Sequence, residues 1–214
     1  MQPTPFSFLD QNFQLHPCGG MYWVEKQTLL IADLHLGKSA HFRKAGIAVP
    51  RHAGDVNWDK IYTLLFDFLP NRVVILGDLF HSVYNAKWEE WLDFTTQFSH
   101  IDFVLVLGNH DILSAEKYTQ AGLTVFKTLI EFPFYFTHEP EEKTPDNCYN
   151  LCGHIHPCVF LHGRGKERMR LPCFYFGKKG GILPAFGDFT GMFPVSVSQS
   201  DTVFVLTEDC VIRV

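Results

Sequence analysis

Short apolar runs alternate with amphipathic stretches through the first half of the chain. Phe6–Leu9, Met21–Glu25 and Thr28–Ala32 read as strands, the last two joined by a tight Lys26-Gln27 turn. From about Ala53 to Leu69, Val56, Ile61, Leu64, Leu65 and Phe68 recur at helical spacing, and Pro70 closes the segment. Arg72–Leu76 then reads as a strand buried on both faces. The alternation repeats: Ala86–Phe98 carries Trp88, Trp91, Leu92, Thr95 and Phe98 along one helical side, Ile101–Leu107 is a second buried strand, and Leu113–Ala121 a third helix. Beyond it come short β runs at 123–126, 129–137, 149–152, 157–161, 168–176, 181–185 and 202–213. Strand–helix alternation followed by strands predicts an α/β fold: a layered α/β sandwich of two mixed β-sheets flanked by helices, its first half parallel and its second more antiparallel.

Composition narrows the class. With 46% hydrophobic and 19% charged residues in 214, the chain can fill a core and is not of the disordered kind. No repeat or linker asks for a boundary, so one domain over 1–214 is expected. No apolar stretch is long enough for a membrane span, and the opening residues lack the basic and apolar regions of an export signal, so a cytoplasmic protein with no membrane partner is expected. None of the six cysteines forms C-x-x-C, and reduced, mostly buried thiols are the expectation. The net charge of −5 speaks against a surface that binds nucleic acid all over. Its distribution is uneven, however: residues 36–51 carry four positive charges and no negative one, and 162–179 carry six against Glu167 alone.

The chemistry gathers where the apolar runs stop. Leu29–Ala32 runs into Asp33-Leu34-His35, Val73–Leu76 into Gly77-Asp78, and Val104–Leu107 into Gly108-Asn109-His110-Asp111. Phe134–Thr137 runs into His138, and Asn150–Cys152 into Gly153-His154-Ile155-His156. Ligands of open α/β sheets bind beyond the carboxyl ends of the strands. Carboxylate, amide and imidazole together suit manganese, iron or zinc. Asp33, His35, Asp78, Asn109, His138, His154 and His156 exceed the needs of one tetrahedral ion and fit two divalent ions sharing a carboxylate, ~3.5–4 Å apart. Glycine before Asp78, Asn109 and His154 lets the backbone turn beside a crowded site. Cys152 is expected in the core, and Trp88 and Trp91 as core rather than a base-stacking platform.

These five blocks, in this order, resemble the signature of the calcineurin-like metallophosphoesterases. More narrowly, residues 30–50, Gly77–Ser82 and Leu183–Gly191 are similar to the bacterial ligase-associated DNA damage response endonucleases; Met192 stands where that group tends to have another glycine. The resemblance implies that Asp33, His35 and His156 hold one ion, that Asn109, His138 and His154 hold the other, and that Asp78 bridges. It implies a metal-bridging hydroxide as nucleophile and His110 as the catalytic group at the scissile phosphate, oriented by Asp111. DNA is the implied substrate, with a functional association with an ATP-dependent DNA ligase. Lys38 and Arg43 are candidate backbone-phosphate contacts and His81 a candidate substrate contact, although a solvated loop and a helix-cap imidazole describe the same residues. A small-molecule phosphodiesterase opening cyclic nucleotides, or a non-catalytic scaffold, are the alternatives.

Overall fold

The computed structural model describes residues 1–37, 56–80, 86–163, 168–188 and 190–214. Seven strands form the first sheet in chain order: β1 (Thr4–Phe8), β2 (Gln11–Leu15), β3 (Met21–Trp23), β4 (Thr28–Ile31), β5 (Arg72–Leu76), β6 (Asp102–Val106) and β7 (Leu123–Phe126). Pairing is antiparallel as far as β4 and parallel from there to β7. Among the described residues three helices lie in the connections: α1 (Val56–Phe68), α2 (Ala86–Gln97) and α3 (Ala115–Gln120).

The second sheet is mixed. It comprises β8 (Leu129–Glu131), β9 (Phe134–Phe136), β10 (Tyr149–Cys152), β11 (Pro157–His162), β12 (Arg168–Phe176), β13 (Gly181–Ile182), β14 (Phe193–Pro194), β15 (Thr202–Leu206) and β16 (Val211–Arg213). Its order is β14-β11-β12-β13-β10-β9-β8, with β15 added to β12 and β16 to β15.

Period-two alternation divides the core. On β4, Leu29 and Ile31 pack with Ile61, Leu64, Leu65, Trp91 and Phe94 of the helices. Leu30 and Ala32 face the other way, into a layer with Phe134, Phe136, Leu151 and Phe174 of the second sheet. The described helices thus cover the outer face of the first sheet, while a smaller cluster of Val159, Cys173, Val203 and Val205 involves the second sheet. Trp88 and Trp91 are buried as expected, Trp91 donating its indole N–H to the Ala121 carbonyl at 3.2 Å. All six cysteines are free thiols, and Cys18, Cys152, Cys158 and Cys173 are buried. Among the described residues no helix is long and apolar enough to cross a membrane.

Several elements differ from the sequence expectation: β14 was not expected, and the 181–185 run is a strand only over Gly181–Ile182. β2 adds a strand whose alternation is carried only by Phe13 and Leu15 among polar residues. The 129–137 run is a hairpin, β8 antiparallel to β9, turning at Phe132-Pro133, where proline has no N–H to continue the ladder. The 202–213 run is likewise two strands, closed by the Thr207 N–H on the Cys210 carbonyl at 3.0 Å.

Candidate metal centre

Each loop that leaves a strand tip is tied to its neighbour by backbone bonds. The Asp33 N–H donates to the Gly77 carbonyl (3.2 Å), His35 N–H to Asp78 (2.8 Å), and Gly153 N–H to His138 (2.9 Å). Five residues here take left-handed backbone, with φ of 55° at Asp33, 47° at His35, 53° at Asp78, 64° at His154 and 53° at His156. That conformation costs roughly 1–2 kcal/mol per non-glycine residue, and the surrounding packing holds it. A Cβ at Gly108 would overlap Asp78, and one at Gly153 would overlap Asp33 and Ala32, so these glycines are what lets the strand ends close together.

Asp33, His35 and His156 lie within ligand distance of one another, and so do Asp33, Asp78 and His138. Asn109 Oδ1 and His154 Nδ1 meet His138 Nε2 at 3.0 and 3.1 Å. Asp78 faces both groups, its Oδ2 3.8 Å from His35 Nε2 and its Oδ1 3.5 Å from His138 Nε2. All seven residues expected as ligands are therefore brought together.

Electrostatics give the cluster its chemical meaning. His138 Nδ1 lies 2.9 Å from the Leu76 carbonyl and His156 Nδ1 lies 3.1 Å from the Gly191 carbonyl. A carbonyl only accepts, so each Nδ1 is the donor, and in a neutral ring Nε2 carries the lone pair. Those lone pairs point inward, at Asp78 Oδ1 from His138 and at Asp33 Oδ1, 3.3 Å away, from His156. Asp33 Oδ1 is buried and has no hydrogen-bond partner among the described residues, an arrangement of acceptors against acceptors that calls for a cation between them. The donor set fits a divalent metal.

His110 stands at the rim, its side chain 43% exposed and Nε2 3.9 Å from Asp78 Oδ2, while its backbone N–H donates to Asp78 Oδ1 at 2.9 Å. The carboxylate expected to orient that ring is engaged elsewhere. Asp111 accepts the backbone N–H groups of Asp78 (2.8 Å), Gly108 (2.9 Å) and Leu79 (3.1 Å), and so fixes the two loops that carry Asp78 and Asn109. Burial pushes the Asp111 carboxyl up to about 6, with the Gly108 amide opposing and the Asp78 charge adding. Cys152 is buried, and burial pushes its thiol far above the ordinary range.

Lys38, Arg43 and His81 lie outside the described residues. Within the second basic stretch, Arg168 lies over the Phe160 ring (3.5 Å), and Lys178 and Lys179 are exposed. The sequence reading missed Asn57, Lys60 and Asp188. Asn57 of α1 donates to the Leu34 carbonyl (3.3 Å) and accepts the Asp188 N–H (3.1 Å), joining two loops of the centre. Lys60, one turn further on, binds Asp188. Only the Gly187-Asp188 segment carried a signal, through its similarity to the narrower group.

A sequence model described as calcineurin-like phosphoesterase matches residues 26–199. No curated protein matches the sequence significantly. Among solved structures, the Pseudomonas putida nuclease MPE is similar over 96% of this chain and 97% of its own, at 27% identity and a TM-score of 0.81. Yfce, a phosphoesterase from E. coli, is similar over 86% and 90% at 16% identity, with a TM-score of 0.39.

Proposed function

This chain belongs to the calcineurin-like phosphoesterase family and is a metal-dependent phosphoesterase, and from that premise we propose that it hydrolyses phosphodiester bonds of DNA with two divalent ions. The observation that carries the two-ion reading is the pair of imidazoles, His138 and His156, each donating outward from Nδ1 and facing a separate carboxylate with Nε2. Asp33, His35 and His156 would hold one ion and Asn109, His138 and His154 the other, with Asp78 between them; manganese, iron and zinc all suit these donors. Bound there, such ions lower the pKa of a coordinated water towards neutrality and offset charge on the phosphate. His110, at the open rim, is placed to meet a phosphate oxygen or the departing alkoxide and give it a proton. Asp111 acts through the backbone, fixing the loops of Asp78 and Asn109.

DNA is favoured by the likeness to a nuclease over nearly the whole of both chains and by the basic segment 36–51. The finer resemblance, to the ligase-associated endonuclease PdeM, extends the proposal to internal cleavage in DNA repair alongside an ATP-dependent ligase. The test is a matrix of Mn²⁺, Fe²⁺, Zn²⁺ and Mg²⁺ against single- and double-stranded DNA, a bis-aryl phosphate and a 2′,3′-cyclic nucleotide. Cleavage of circular single-stranded DNA is expected with at least one of the first three metals. Opening of the cyclic nucleotide with intact DNA throughout would replace the nuclease reading by the small-molecule one.

A further inference from the structure

Beside the metal centre lies a cavity of about 200 Å³ that the hydrolytic machinery leaves unexplained. His156 forms part of its wall, so it opens directly onto the first group of ligands. Pro157, Pro172 and Met192 supply apolar walls, and Lys60 with Asp188 supplies a polar edge. The ammonium of Lys60 donates to Asp188 Oδ1 at 2.8 Å and to the Phe186 carbonyl at 3.1 Å, which leaves one of its three N–H groups. The two side chains are 27% and 29% exposed. The edge is rigid: the Asp188 N–H is held by Asn57, and the Gly187 N–H by the carbonyl of Asp33 at 3.0 Å.

We infer that this cavity is a nucleobase subsite, taking the base next to the scissile phosphate; the inference rests on the nucleic-acid reading above. The charges decide between the parts of a nucleotide. A flanking phosphate brought to Lys60 would also meet the Asp188 carboxylate, whose repulsion cancels the attraction of the ammonium. A base meets the pair differently, because every DNA base carries a donor beside an acceptor on one edge and two flat apolar faces. Ammonium and carboxylate side by side match such an edge in either order, and the proline and methionine walls match the faces. The volume, below the ~300 Å³ at the small end of whole-ligand pockets, suits one planar group rather than a complete ligand.

The test uses the full chain loaded with Mn²⁺ and three diesters with one leaving group: methyl p-nitrophenyl phosphate, a thymidine p-nitrophenyl phosphate, and its deoxyribose counterpart without the base, the last two in 5′ and 3′ forms. The quantity read is the ratio of kcat/KM with and without the base, in which any general loss of activity cancels. A preference for the base of about tenfold is expected in one of the two forms, falling at least about fivefold in both Lys60→Gln and Asp188→Asn, in line with losing a hydrogen bond to a charged group. The ratio of sugar ester to methyl ester should move in neither variant. Equal efficiency on esters with and without the base, or a preference that survives both substitutions, overturns the subsite while leaving a phosphodiesterase. Hydrolysis of none of the diesters, with Mn²⁺ or with Fe²⁺ or Zn²⁺ loaded in its place, overturns the functional reading itself, and the subsite with it.

Discussion

Asp78→Asn is expected to lower kcat on every diester by more than about a thousandfold, the equivalent of the several kcal/mol that metal charge stabilisation supplies. Asp78 is buried at the end of β5 and points one oxygen toward His35 and the other toward His138. Two dications held ~3.5–4 Å apart repel strongly, and a carboxylate between them is the charge that offsets this. Asparagine keeps the shape and one acceptor but removes that charge. The Asp78 N–H to Asp111 bond belongs to the backbone and survives the substitution, so the loop should keep its path and thermal unfolding should change little in the absence of metal. Elemental analysis should show fewer ions per chain. Activity within a few-fold of the unmodified protein would remove Asp78 from the bridge.

His110→Asn carries the second large effect, and it separates proton transfer from metal binding. The ring sits at the rim, outside both compact ligand groups, and is more exposed than the Asp78 carboxylate it faces. Both ions should therefore remain bound. An alkoxide leaving group needs a proton as its bond breaks, whereas p-nitrophenolate leaves with little help. The expected loss is about 10²–10⁴-fold on DNA and under about tenfold on an aryl diester. Equal losses on the two would make His110 an electrostatic partner of the phosphate instead of an acid. Loss of metal would make it a ligand.

How much of this centre was legible follows from the kind of contact involved. Asp33-Leu34-His35, Gly77-Asp78 and Gly153-His154-Ile155-His156 announce themselves because each polar cluster terminates an apolar run, and parallel neighbours within each sheet, β4 to β6 in the first and β9 with β10 in the second, bring such ends to one side. The core was legible for a related reason, since Leu29 and Ile31 alternate with Leu30 and Ala32 in a strand buried on both faces. β2 was not, because its polar Gln11, Asn12 and Gln14 mask the alternation of Phe13 and Leu15. The Lys60–Asp188 pair spans 128 positions, and no local pattern marks one lysine of a helix as the partner of a distant loop. Asp111 shows the same limit at short range. The family resemblance implied that it orients the His110 ring, but the turn points its carboxylate at three backbone amides.

The measurement that bears most directly on the account is the number of metal ions this site holds. Native mass spectrometry of the Mn²⁺-loaded chain, with electron paramagnetic resonance on the same sample, should give two ions per chain and the signature of a spin-coupled pair, because the inward-facing nitrogens of His138 and His156 meet separate carboxylates. One ion per chain with the spectrum of isolated Mn²⁺, or two ions without coupling, would contradict the binuclear centre.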